Sequence, residues 1–184
     1  QGAATQTANK YIEALSYIED ASLANEELTF SGNVSVSDLG DGYTVVAFIK
    51  TLTSGYSTVA YKTADISSTG DFTVTATADE MSQAVIQYGF AVTGPLADPA
   101  DTSLGSVVVG TEAPPASGND VTVATSQAWN AYVNAFNVSD NAFAFGFAYT
   151  VSDLRATPTA TSMTLEPNTA IWTAEATNAG WFDQ

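Results

Sequence analysis

The chain has no histidine and no cysteine. Without imidazole it lacks the commonest general base, the Ser-His-Asp arrangement and His-ligated zinc or iron. Without thiols it has neither a disulfide framework nor a thiolate nucleophile, and no ligands for iron–sulfur clusters. Positive charge is nearly as scarce. Lys10, Lys50, Lys62 and Arg155 stand against 20 carboxylates, a formal net charge of −16. Phosphate backbones and anionic headgroups repel such a surface, so neither nucleic acid nor a membrane surface is an expected partner. No G-x-G-x-x-G or P-loop occurs, so no nucleotide is implied. Apolar runs long enough to cross a bilayer or serve as a signal peptide are missing too, and the chain opens on Gln1. The expectation is a mature form after leader removal, without membrane insertion.

The catalytic options that survive these absences are thin. A Ser-Lys dyad needs a desolvated lysine beside a serine, and Lys50 and Lys62 sit at strand ends without a recognisable serine spacing. Two carboxylates held ~5–10 Å apart could cleave glycosidic bonds. The neighbouring pairs Glu19-Asp20 and Glu26-Glu27 read as solvated polar stretches instead. No enzyme is expected.

What is present is apolar and weakly charged. Over 184 residues, 45 % are hydrophobic and 13 % charged, against roughly 25 % charged in an ordinary soluble domain. Such a length and hydrophobic content support one core without staples. The surface must be covered by Thr, Ser, Asn and Ala, a composition suited to work outside the cell.

Periodicity reads as mostly β. "LTFSGNVSV" places Leu28, Phe30, Val34 and Val36 on one face, with a bulge expected at Gly32. "SDLGDG" supplies a turn before the apolar run "YTVVAFIKTL", and the pair reads as a hairpin. "DFTVTATA" alternates strictly. "TEAPPASGND" is the clearest break, either a long loop or a boundary, and "TSMTLEPNTAIWTAEAT" reads as a terminal hairpin turned at Glu166-Pro167-Asn168. Two stretches read as helical. Tyr11, Leu15 and Ile18 recur at helical spacing near the N-terminus, and Trp129, Tyr132, Val133 and Phe136 form a stripe within residues 126–137. The fold expected is an all-β antiparallel β-sandwich of about eight or nine strands with one or two short helices at those places. Residues 1–27 read as an N-terminal segment open to exchange with a neighbouring subunit, and 28–184 as a single sandwich domain.

An internal echo joins "YGFAVT" at Tyr88–Thr93 to "FGFAYT" at Phe145–Thr150. The shared glycine makes room for a bulge or for a close neighbouring backbone or ring. The second copy lies within "NAFAFGFAYTV", Asn141–Val151, which reads as a central core strand whose uncharged small-residue face something else must cover.

Candidate site residues follow from local chemistry. Asp38 and Asp41 in "SDLGDG", and Asp98 and Asp101 in "ADPAD", have the oxygen-rich, turn-bound spacing that calcium uses, beside the plain role of aspartate in turns. Calcium is the one cofactor considered. Asn33 and Asn137 open N-V-S tripeptides, candidate glycosylation acceptors. Trp129, Trp172 and Trp181, with Tyr43, Tyr56 and Tyr61, are candidates for a sugar-stacking platform, and Trp181 is the ring without an evident interior place. The leading functional expectation is a non-enzymatic extracellular structural protein at the cell surface. It would polymerise with copies of itself into a pilus-like filament or surface lattice, joined by donation of a strand or the N-terminal segment. The alternative is a secreted carbohydrate-binding or adhesion module.

Overall fold

The structure, a computed structural model, describes residues 10–97, 101–110, 119–123, 128–159 and 161–167. These form twelve strand segments in two sheets: β1 (Lys10–Glu19), β2 (Leu28–Ser37), β3 (Thr44–Leu52), β4 (Thr58–Asp65), β5 (Gly70–Ala76), β6 (Val85–Pro95), β7 (Val107–Gly110), β8 (Asn119–Val121), β9 (Asn130–Asn137), β10 (Phe143–Tyr149), β11 (Ala156–Pro158) and β12 (Ser162–Leu165). Sheet 1 runs β10-β9-β1-β6-β3-β4, and sheet 2 runs β11-β12-β7-β2-β5, with β8 parallel to the start of β2. Every other pairing is antiparallel.

The core lies between the sheets. From sheet 2 come Leu28, Phe30, Phe72, Val74, Val107 and Val109; from sheet 1 come Val45, Ile49, Ile86, Tyr88 and Phe90. Phe30 is its aromatic centre, with ring centroids 5.4 Å from Phe72 and 5.3 Å from both Tyr88 and Phe90. Trp129 stacks on Phe90 at 6.1 Å. Burying each such side chain contributes roughly 1.5–3 kcal/mol, so an alternating pattern of this depth settles which face of each strand turns inward.

Neither expected helix forms; among the described residues the helical content is two three-residue 3-10 turns, Ala21–Leu23 and Thr102–Leu104. Both helical stripes are strands. In β1, Ile12, Ala14 and Ile18 face the interior, while Leu15 is buried on the opposite face with Phe48 and Ala91. In β9, Ala131, Val133 and Ala135 face in, and Tyr132 packs outward. A strand buried on both faces has apolar residues at odd and even positions, and some of those fall by chance at helical spacing.

Three further expectations shift. β2 and β3 lie in different sheets, so "SDLGDG" crosses between layers and closes no hairpin. The bulge in β2 falls between Val34 and Val36 rather than at Gly32; Gly32 instead admits the Phe72 ring, whose nearest carbon would lie 2.8 Å from an added β-carbon. β10 is the end strand of sheet 1 among the described residues, not a central one, and a register shift between Phe143 and Phe145 breaks its alternation. Phe143 and Phe147 are consequently 60 % and 51 % exposed. Residues 111–118 of the proline-rich break lie outside the described residues, and β7 and β8 on its two sides both pair with β2. The far arm of the terminal hairpin, from Asn168 on, also lies outside them.

Candidate functional site

The face of sheet 1 turned away from sheet 2 carries the most organised group of polar and aromatic side chains. Its base is β1, whose period of two sends Glu13, Leu15, Tyr17 and Glu19 outward. Each carboxylate is gripped from two sides. Asn134, the cross-strand neighbour of Glu13 on β9, donates its amide to Glu13 Oε2 at 2.8 Å, and the Tyr61 hydroxyl donates to Oε1 at 3.3 Å. Gln87, the cross-strand neighbour of Glu19 on β6, donates to Glu19 Oε2 at 2.9 Å, and the Tyr56 hydroxyl donates to Oε1 at 3.3 Å. An amide and a phenol therefore clamp each acid.

The clamps fix where the Tyr56 and Tyr61 hydroxyls stand. Tyr61 starts on β4 and reaches β1 across β3 and β6, which lays its ring edge-on to Phe48 at 5.6 Å. Phe48 is fully buried on a face that in most sandwiches meets water. The Lys50 ammonium sits 5.4 Å from the Tyr61 ring centroid, a cation–π contact of about 0.5–1 kcal/mol at an exposed site. Tyr56 occupies the turn between β3 and β4 with φ of 61°, a left-handed conformation that is rare for a bulky residue. That turn is closed by Thr53 N–H donating to Ser57 O at 2.9 Å and Tyr56 N–H donating to Thr53 O at 2.9 Å.

The echo glycines serve the same face. A β-carbon on Gly89 would lie 2.7 Å from the Tyr17 α-carbon, so its absence lets β6 close on β1. A β-carbon on Gly146 would lie 2.6–3.0 Å from the Tyr132 ring and hydroxyl, so its absence lets that ring lie over β10. Backbone approach in one copy and ring approach in the other are both uses anticipated for that glycine.

Between the clamps a cavity of about 380 Å³ opens, floored by Leu15 and Leu52 and walled by Tyr17, Tyr56 and Tyr132. Its polar groups are Lys50, Thr58, Gln87 and Asn134. Burial, then the Glu19 charge, pushes the Tyr17 phenol above its ordinary range. The Glu19 charge and then its hydrogen bond do the same to Tyr56. Burial, then Glu13, raises Tyr61 strongly. These hydroxyls stay protonated in neutral water and act as donors.

The acidic turns were anticipated separately, and the fold brings two of them together. Asp38 exchanges bonds with Ser106: its N–H donates to Ser106 O at 3.1 Å, and its Oδ1 accepts from Ser106 N–H at 2.6 Å. Gly40 N–H donates to Leu104 O at 2.9 Å. Asp101 caps the second 3-10 turn, accepting from Ser103 N–H and Oγ at 2.9 and 2.6 Å, which holds its carboxyl below the usual range. Asp41 is exposed at the turn, and Asp98 lies outside the described residues. Among the described residues no three His, Cys, Asp or Glu side chains gather as a metal-binding group.

Asn33 sits within β2 and donates to Asp71 Oδ1 at 2.7 Å. Asn137 ends β9 at a hairpin, with its backbone bonded to Ala142 and Asn141 and an exposed Val138 beyond it. Trp172 and Trp181 lie outside the described residues. Of the anticipated ring platform, Tyr56 and Tyr61 reach the outer face. Trp129 goes to the core, and Tyr43 packs over Gly94 with its hydroxyl donating to Pro95 O at 3.0 Å. Glu13, Glu19, Gln87, Tyr132 and Asn134 were not anticipated; the signal for them is the outward set of β1, visible once that segment is read with a period of two.

No protein-family model, curated protein or solved structure matches the chain.

Proposed function

We propose that the chain is a non-enzymatic extracellular structural protein, the subunit of a self-assembling surface filament joined through its N-terminal segment. The observation that carries this reading is the place of β1. Among the described residues it is the first strand in sequence yet the third in sheet 1, paired over nine positions with β6 and over eight with β9. Withdrawing it would split the sheet and open a slot with unpaired backbone on both sides. The piece that fills that slot best is an identical strand, and residues 20–27, which join β1 to β2 through a single 3-10 turn, are the hinge through which a neighbour's copy would enter. Exchange of an identical element reproduces the same contacts between subunits, and repeated head to tail it builds an open fibre. Low charge density supports close packing of copies, and cations in the medium offset the net charge of −16.

The absence of native cysteine gives a direct test. Tyr11 and Phe136 face each other across β1 and β9. With Y11C and F136C together, oxidation of assembled material should give a covalent ladder on a denaturing gel. A cross-linked monomer alone would show that β1 stays at home. Negative-stain images with calcium and with chelator test polymerisation itself, and unimpaired filaments from a chain lacking residues 1–24 would end the N-terminal joint altogether.

A further inference from the structure

We infer that the cavity on the outer face of sheet 1 is a binding site for a neutral saccharide. The inference is independent of how subunits join. Its first support is the donor and acceptor inventory. A carboxylate only accepts, so Asn134 and Gln87 turn their amide nitrogens to Glu13 and Glu19 and present their carbonyl oxygens elsewhere. Both residues line the cavity, and Gln87 is only 6 % exposed. Beside these acceptors stand the donor-bearing side chains of Lys50, Tyr17 and Thr58. A site offering donors and acceptors side by side suits a group that does both, and the ring hydroxyls of a sugar do so at each carbon.

The second support is the apolar surface. Sugar rings present C–H faces that pack on aromatic rings, and Tyr17, Tyr56 and Tyr132 surround a floor of Leu15 and Leu52. Tyr56 is held over the cavity by its bond to Glu19 and by a turn that gives it a positive φ. The volume of about 380 Å³ lies in the lower part of the ~300–1,000 Å³ range of small-ligand sites, room for one or two sugar rings. Charge supplies the third support. Glu13, Glu19 and the net charge of −16 disfavour an anion, and the cationic Lys50 side chain lining the cavity disfavours a cation. A neutral ligand remains.

The test titrates the full chain with cellobiose, maltose, lactose, mannobiose and diacetylchitobiose by calorimetry and saturation-transfer NMR, with sialyllactose and cadaverine as charged probes. At least one neutral disaccharide should bind, and the charged probes should not displace it. Tyr56→Ala and Asn134→Ala, each checked for an unchanged circular dichroism spectrum, should weaken association at least tenfold. Tyr56→Phe keeps the ring but loses its bond to Glu19, and should weaken association less than Tyr56→Ala does. The inference is overturned if no neutral disaccharide binds, if only a charged probe binds, or if binding survives both alanine substitutions.

Discussion

Gly89→Ala should be among the most damaging single-methyl additions to this chain. The new carbon would lie 2.7 Å from the Tyr17 α-carbon and closer still to the Ser16 carbonyl oxygen. Carbon atoms settle at about 3.5–4.0 Å, so an overlap near 1 Å must be relieved. Both obstructing groups are backbone, in a strand locked on two sides by β6 and β9. No side chain can swing away, and sliding β1 would disturb the whole ladder. The loss belongs at or beyond the top of the ~1–3 kcal/mol overpacking range, about 3 kcal/mol. At ~2–4 °C per kcal/mol for a chain of this size, Tm falls by roughly 6–12 °C. Gly146→Ala, the matching position of the echo, is the control. There the added carbon meets only the end of the half-buried Tyr132 ring, which can rotate, at about 1 kcal/mol or less. Thermal and urea melts of the two variants would refute the reasoning if Gly89→Ala melts within about 2 °C of the parent, or if Gly146→Ala is the less stable. Rotation of Tyr132 should still weaken saccharide binding by Gly146→Ala.

Thr51 is fully buried and its hydroxyl has no hydrogen-bond partner among the described residues. Thr51→Val keeps the shape and removes the unmade bond, so stability to urea should rise by about 1 kcal/mol; a loss would mean the hydroxyl is satisfied. Phe30→Ala removes the centre of the aromatic cluster and should cost about 3–5 kcal/mol, with a cost below 1.5 kcal/mol counting against that core. Tyr17, Tyr43, Tyr56 and Tyr61 all have phenols raised above the ordinary value. The folded chain thus holds those protons more tightly than the unfolded chain, whose phenols ionise near pH ~10. Their contribution is whole below about pH 10 and is lost as pH rises toward the folded values. Melts from pH 8 to 12, read with tyrosinate absorbance, should show Tm falling once pH passes about 10, and a flat Tm to pH 12 would contradict the burial that raises Tyr17, Tyr43 and Tyr61.

The two-layer β architecture was legible because strands such as β5 have one wet face, and Phe72, Val74 and Ala76 alternate with exposed partners. The helical misreading of β1 and β9 has the opposite cause. Leu15 and Tyr132 are covered on the outer face by rings from strands distant in sequence, so alternation disappears. The sheet exchange after β2 was hidden because "SDLGDG" has the same turn chemistry whether it closes a hairpin or crosses between layers. The outer-face site was legible only as scattered tyrosines. Its defining pairs, Glu13 with Asn134 and Glu19 with Gln87, are 121 and 68 residues apart and meet only through strand register.

If subunits exchange β1 and the outer-face cavity binds saccharide, β1 ties assembly to recognition. Its outward residues Glu13, Leu15, Tyr17 and Glu19 supply the anchors and part of the floor and wall of the cavity, while Lys50, Gln87, Tyr132 and Asn134 come from the rest of the sheet. If β1 is exchanged, every cavity in a fibre is built from two chains, and a saccharide bound there stabilises the joint as well as the fold. By linkage, a ligand at 100 times its Kd adds about 2.7 kcal/mol to the state that binds it. The urea midpoint for fibre disassembly, followed by light scattering, should therefore rise when the tightest-binding disaccharide is present. Asn134→Ala, with binding weakened tenfold, should cut the stabilisation at the same saccharide concentration to about 1.4 kcal/mol or less while leaving fibres intact, because the strand ladder does not depend on the Asn134 side chain. A midpoint that does not move at saturating saccharide would show that the cavity and the joint are separate, with β1 remaining in its own chain.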